Sequence, residues 1–143
     1  MIPSACALSA LAIPLTSAHA TCNCRIIFPD ACATLAFQVV ETAGAANPYD
    51  KAVALREHLQ TNYPYDYFPP PQQPGAETCD QFLFVDGRGV CEQYVTSLVV
   101  MLRVLGIPAR LVASYGSGAY NSITGYYEVR ANDAHAWAEV YFS

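Results

Sequence analysis

Within the run DGRGVCEQYVTSLVVMLRVLGIPAR, Asp86 to Arg110, a single cysteine stands where a glycine-rich turn meets a long apolar-striped segment. At the first turn of a helix, unpaired backbone N–H groups and the positive end of the dipole favour a thiolate. The same N–H groups can hold the oxyanion formed when a carbonyl is attacked, so Cys91 would combine a nucleophile with charge stabilisation. Gly89, lacking a side chain, is expected to leave the approach open. His135 opens a strand-like segment further along and is the candidate general base. Position alone does not separate this pair from a packed thiol and a structural histidine, because cysteine is among the most buried residue types.

The elements that must position these residues are read from periodicity and punctuation. A helix is predicted from Asp30, which can N-cap it, to Glu41, with Gly44 beyond its end. A second runs from Pro48 to Asn62, with Asn47 as N-cap and Pro48 at the first helical position. The stretch YPYDYFPPPQQPG then removes backbone donors at Pro64, Pro69, Pro70, Pro71 and Pro74, which makes it a rigid surface connector in preference to a recognition motif. Phe82 to Val85 is a short apolar patch before the turn at Asp86–Gly89. From Cys91 to Leu105 the apolar residues Cys91, Val95, Leu98, Leu102 and Leu105 recur at helical spacing, and Gly106 and Pro108 end the element. Strands are predicted at Arg110–Tyr115 and Tyr126–Arg130, as an antiparallel pair joined by the loop Gly116–Gly125. After a turn at Asn132–Asp133, a third strand follows from His135 to Phe142.

The whole chain sets limits on function. Its 143 residues suit one domain, expected at 31–143, behind a leader at 1–30. A net charge of -5, with seven scattered Lys and Arg residues, excludes a nucleic-acid footprint. The longest apolar run, Cys6 to Leu15, is about half the length a membrane-spanning helix needs. That run, with the Ala18-His19-Ala20 ending, has two parts of a secretory signal, although no basic residue precedes Arg25. Four of the six cysteines, Cys6, Cys22, Cys24 and Cys32, crowd the first 32 residues and do not read as a disulfide framework. A metal cluster of Cys22, Cys24, Cys32 and His19 is the weaker reading of that region, small residues in a loosely ordered leader the stronger. Cys79 is expected to be able to bridge to Cys91 under oxidation.

The segments FLFVDGRGVCEQYVTSLVVMLRVLGIPARLVASY and GYYEVRANDAHAWAEVYF closely resemble the transglutaminase-like superfamily, especially its bacterial extracytoplasmic members. The paired motifs G-x-C-x-x-[YF] and A-H-A-W-x-E-V carry the resemblance, which extends over about Ala33 to Phe142. It implies an α+β, papain-like fold in which a nucleophile helix packs on an antiparallel sheet, with N-terminal helices ahead of it. By position Cys91 matches the nucleophile and His135 the general base. The family's third residue, an Asp on the next strand, has no counterpart after His135 in this chain, which is expected to be C-terminally truncated. Asp133 and Glu139 are read as structural, Trp137 as a packing aromatic that could also donate near an oxyanion, and Glu92 and Arg110 as solvated charges beside helix ends that could also pair across the site entrance.

The implied function is thiol-dependent acyl transfer or hydrolysis on protein or peptide amides, of transglutaminase, deamidase or protease type, through Cys91 and His135. The missing Asp leaves open whether the chain is an enzyme. It favours, as an alternative, a non-catalytic remnant or peptide-binding module on the same fold. The even cysteine count allows a small exported disulfide-stabilised protein. No cofactor or metal is implied. The expected partner is a protein or peptide substrate, and the expected setting is extracytoplasmic or periplasmic, within a larger membrane-anchored protein.

Overall fold

The computed structural model describes residues 30–142. The possible signal segment, and with it His19, Cys22 and Cys24, lies outside the described residues.

Two amphipathic helices come first. Helix α1 (Asp30–Ala43) buries Cys32, Ala36, Val39 and Val40, a stripe at helical spacing. Helix α2 (Pro48–Asn62) begins as predicted: the Asn47 side chain accepts the Asp50 N–H at 2.8 Å, and Ala52, Leu55 and Leu59 face inward. After the proline-rich connector, a single α-turn, α3 (Thr78–Asp80), runs into a π-helical turn at Gln81–Asp86. The apolar patch at Phe82–Val85 therefore belongs to a helical turn that buries Phe82 and Leu83 and leaves Phe84 and Val85 exposed. Gln81, itself buried, clamps the connector. Its Oε1 accepts the Gln73 N–H at 2.8 Å, while Nε2 donates to Asp86 at 2.9 Å and to the Pro71 carbonyl at 3.4 Å.

Helix α4 (Cys91–Val104) is the centre of the core. It buries Tyr94, Val95, Ser97, Leu98, Val99, Met101 and Leu102, too many directions for a one-sided surface helix. Helices α1 and α2 cover one side and the sheet the other. Its C-terminus closes with the Gly106 N–H on Arg103 O and the Ile107 N–H on Leu102 O, a Schellman arrangement that uses the glycine read from the sequence.

Strand β1 (Ala109–Tyr115) pairs antiparallel with β4 (Ala134–Val140), in a register that sets Ala113 opposite Ala136 and Ser114 opposite His135. The expected pairing of Arg110–Tyr115 with Tyr126–Arg130 does not occur. Instead β2 (Ala119–Asn121) and β3 (Tyr126–Glu128) form their own hairpin between β1 and β4. The loop at 116–125 thus contains a strand. Asn121 builds the turn, accepting the N–H groups of Ile123 and Thr124 on its side chain and that of Gly125 on its carbonyl. Gly118, at φ +68°, lies so close to Glu128 that a Cβ there would stand 2.2 Å from its carbonyl oxygen. On β4 the small residues Ala136 and Ala138 and then Val140 are buried, letting α4 lie close to the sheet.

Cys79 is bonded to Cys32, so the expected oxidation to Cys91 is replaced by a link between α1 and α3, two elements that pack together. Cys32 sits on the buried face of α1 and is neither a leader residue nor an available metal ligand. Among the described residues Cys91 is the free cysteine.

The bond closes a loop of 47 residues, which on chain-entropy grounds corresponds to about 4 kcal/mol. Replacing both Cys32 and Cys79 by alanine is expected to lower unfolding free energy by several kcal/mol, measured by denaturant titration. Non-reducing peptide mapping should recover the Cys32 and Cys79 peptides joined.

Candidate active site

The turn before α4 is held from three sides. Gly89 is spaceless on its core side: a Cβ would stand 3.0 Å from Cβ of Gln93 and 3.1 and 3.2 Å from ring carbons of Phe82. Glycine lets this turn pack tightly on Phe82 and Gln93, which would have to give by a few tenths of an ångström around a Cβ, a packing role beside the open approach expected from the sequence. Its carbonyl accepts the Asp66 N–H at 3.0 Å, and Tyr65 forms a parallel bridge with it. Arg88 pairs with Asp66 at 3.4 Å.

These contacts set Val90 as the N-cap of α4 and Cys91 as its first residue. Valine has no acceptor to offer the first-turn N–H groups, so other residues supply part of the capping. The Gln93 side chain reaches back to accept the Val90 N–H at 3.0 Å, and the Cys91 N–H donates to the Tyr65 hydroxyl at 3.3 Å. Beneath this turn an aromatic chain runs from Tyr67 through Tyr65, Tyr94 and Phe82 to Tyr63, with successive ring centroids 4.8 to 6.0 Å apart. The Tyr94 hydroxyl donates to the Tyr63 carbonyl, tying α4 to the end of α2.

Cys91 and His135 line one open cavity of about 390 Å³ between the N-terminus of α4 and the ends of β1 and β4. Val90 and Glu92 line the helix side; Leu111, Ala113, Ser114, Tyr115, Ala134 and Ala136 line the sheet side. His135 is half-buried at the start of β4. Strand alternation puts it on the sheet face shared with its cross-strand partner Ser114 and with Trp137.

The remaining sequence-derived residues fall elsewhere. Trp137, half-buried opposite Val112, is outside the cavity lining. Arg110 does not meet Glu92: it pairs with Glu139 at 2.5 Å, because the β1–β4 register makes those two direct cross-strand partners on one face. Asp133 accepts the Arg130 N–H at 2.6 Å and so closes the 3₁₀ turn Ala131–Asp133. Sequence reasoning missed Tyr65, Ser114 and Tyr115. Only the aromatic density of YPYDY gave any signal for the first, and strand register alone brings in the others.

The pattern of the transglutaminase-like superfamily matches residues 33–143, most of the chain. The chain belongs to the transglutaminase-like superfamily. It is 38% identical over 121 residues to the uncharacterized protein YebA of Bacillus subtilis, covering 80% of this chain and 16% of that protein. Over 94 residues it is 38% identical to a protein-glutamine gamma-glutamyltransferase of Pseudomonas aeruginosa, covering 66% of this chain and 14% of that protein. The crystal structure of the periplasmic domain of TgpA from Pseudomonas aeruginosa, bound to ethylmercury, superposes with a TM-score of 0.68 at 33% identity, over 78% of this chain and 39% of that domain. The chain thus spans less than a fifth of the curated relatives' length. Its α+β architecture is the transglutaminase-like, papain-like one.

Gly89→Ala is expected to destabilise the fold by about 1–3 kcal/mol, the usual cost of forcing a methyl group into filled space. Thermal unfolding measures the loss, and limited proteolysis should show early cleavage around the turn at 86–90.

Proposed function

We propose that this domain carries out thiol-dependent acyl transfer on protein or peptide amides, with Cys91 as nucleophile and His135 as general base and acid. The observation that carries the reading is the sharing of one cavity by a free cysteine at the first position of α4 and a histidine at the start of β4. Helix-terminal N–H groups favour negative charge at that place, first on sulfur and then on an attacked carbonyl oxygen.

His135 takes the Cys91 proton, and the thiolate attacks the carbonyl carbon to form a C–S bond. The C–N bond then breaks as His135 returns the proton to the leaving nitrogen, releasing ammonia from a carboxamide or an amine from a peptide bond. Water or an amine attacks the thioester, gives its proton to His135, and the thiol is regenerated. The glutamyltransferase relative supports a glutamine carboxamide as the acyl donor. The Cys32–Cys79 bond, together with the periplasmic TgpA domain, supports an extracytoplasmic or periplasmic setting. No helix among the described residues is long and apolar enough to cross a membrane.

With a glutamine-containing peptide as donor, the chain is expected to release ammonia. Cys91→Ala should bring release to background, and His135→Ala should lower it by about a hundredfold or more, the usual scale of general acid–base catalysis. A folded parent chain that neither releases ammonia nor incorporates an amine would overturn the reading and leave a peptide-binding module on the same fold.

A further inference from the structure

The strap that crosses the turn before α4 carries a tyrosine that the acyl-transfer reading does not use. Tyr65 is fixed by its backbone bridge to Gly89 and by the neighbouring Asp66, whose N–H and carboxylate hold Gly89 and Arg88. Its ring stacks on Tyr94, with centroids 6.0 Å apart and planes at 22°, and meets Tyr67 edge-on at 5.0 Å. Ring and backbone together aim the hydroxyl at Cys91. The Cys91 N–H donates to the phenol oxygen at 3.3 Å, which sets the hydroxyl beside the first residue of α4. Burial pushes the phenol above its ordinary value of 10.0, with the bond from the Cys91 N–H working against the rise. Tyr65 therefore keeps its proton through the neutral range and can donate it.

We propose that Tyr65 is a positioning residue for Cys91: its oxygen takes the Cys91 N–H while its proton goes to the sulfur, holding the thiolate in place at the helix terminus. The inference rests on Cys91 being the nucleophile, and it adds a group that the sequence pattern did not supply. Cys91 is the first residue of α4, whose N–H an N-cap side chain does not reach, and the Tyr65 oxygen supplies its acceptor. The other groups facing Cys91 are Glu92 on α4, Tyr115 on β1 and His135 on β4, with the Asp66–Arg88 pair and Tyr67 flanking the strap. Tyr65→Phe changes none of them and keeps the ring that packs on Tyr94.

The test is alkylation of Cys91 by iodoacetamide, followed by peptide mass spectrometry from acidic to alkaline pH, in the parent, Tyr65→Phe and Tyr67→Phe. Losing a hydrogen bond to a charged acceptor lowers the thiolate population on the acidic limb roughly tenfold. A less stabilised thiolate is intrinsically more nucleophilic, so the rate should fall only about threefold there and rise about threefold on the alkaline plateau. The Tyr65→Phe and parent curves are therefore expected to cross, while Tyr67→Phe follows the parent. A Tyr65→Phe profile that superimposes on the parent, or is displaced by the same factor at every pH, would overturn the proposal. Crossing curves in a chain that performs no acyl transfer would keep this role for Tyr65 and sink the proposed function. Superimposed curves in an active chain would sink only the role of Tyr65.

Discussion

The N-terminus of α4 is the point on which the rest of the structure depends. A helix start leaves backbone N–H groups without partners, and here the N-cap is a valine with no acceptor. The neighbours build the site around it: Gln93 folds back onto the Val90 N–H, and Tyr65 comes from a separate segment to the Cys91 N–H. The turn is in turn fixed by Gly89 against Phe82 and by the Asp66–Arg88 pair. Farther out, the Cys32–Cys79 bond anchors α3 to α1, directly ahead of the π-helical turn that delivers the chain to Gly87. A small region is thus held by several independent contacts.

The second constraint is the burial of α4 on nearly all sides. Covered by α1 and α2 on one flank and by β4 and β1 on the other, it cannot shift without disturbing the whole core. The alanines at 136 and 138 let the sheet approach, and the same close approach brings the start of β4, with His135, to the wall of the cavity that holds Cys91. The proposed chemistry thus uses one rigid helix end and one strand end, with the more exposed β2–β3 hairpin between β1 and β4 outside it. Tyr120 and Tyr127 face each other across that hairpin with centroids 5.2 Å apart, which gives it a cross-strand pair of its own.

What periodicity and punctuation could reveal, they did. Helices α1, α2 and α4 follow from apolar spacing with Asn47, Pro48 and Gly106 at their ends, and the two stretches that carry the family resemblance bring Cys91 and His135 to one cavity. Pairings between distant segments were not legible, since they depend on packing instead of local pattern. Residues 110–115 carry nothing that names β4 over β3 as partner, and the register that follows decides Arg110–Glu139 over Arg110–Glu92. The Cys32–Cys79 bond needs the α1–α3 contact, and the closeness of Gly89 to Phe82 needs the π-helical turn. Tyr65 was hidden for a further reason: in a stretch of prolines and aromatics its hydroxyl gains meaning only when the strap lies across the Gly89 turn.

The central claim, that Cys91 forms a covalent bond to an amide-derived acyl group, can be read directly by mass. The folded chain is incubated with a short glutamine peptide, quenched in acid to preserve thioesters, digested and mapped. The account predicts an adduct on the Cys91 peptide equal to the donor less ammonia, lost on treatment with hydroxylamine and absent from Cys91→Ala. An unmodified Cys91 in a folded chain that nevertheless turns over the peptide, or an adduct on another residue, would contradict it.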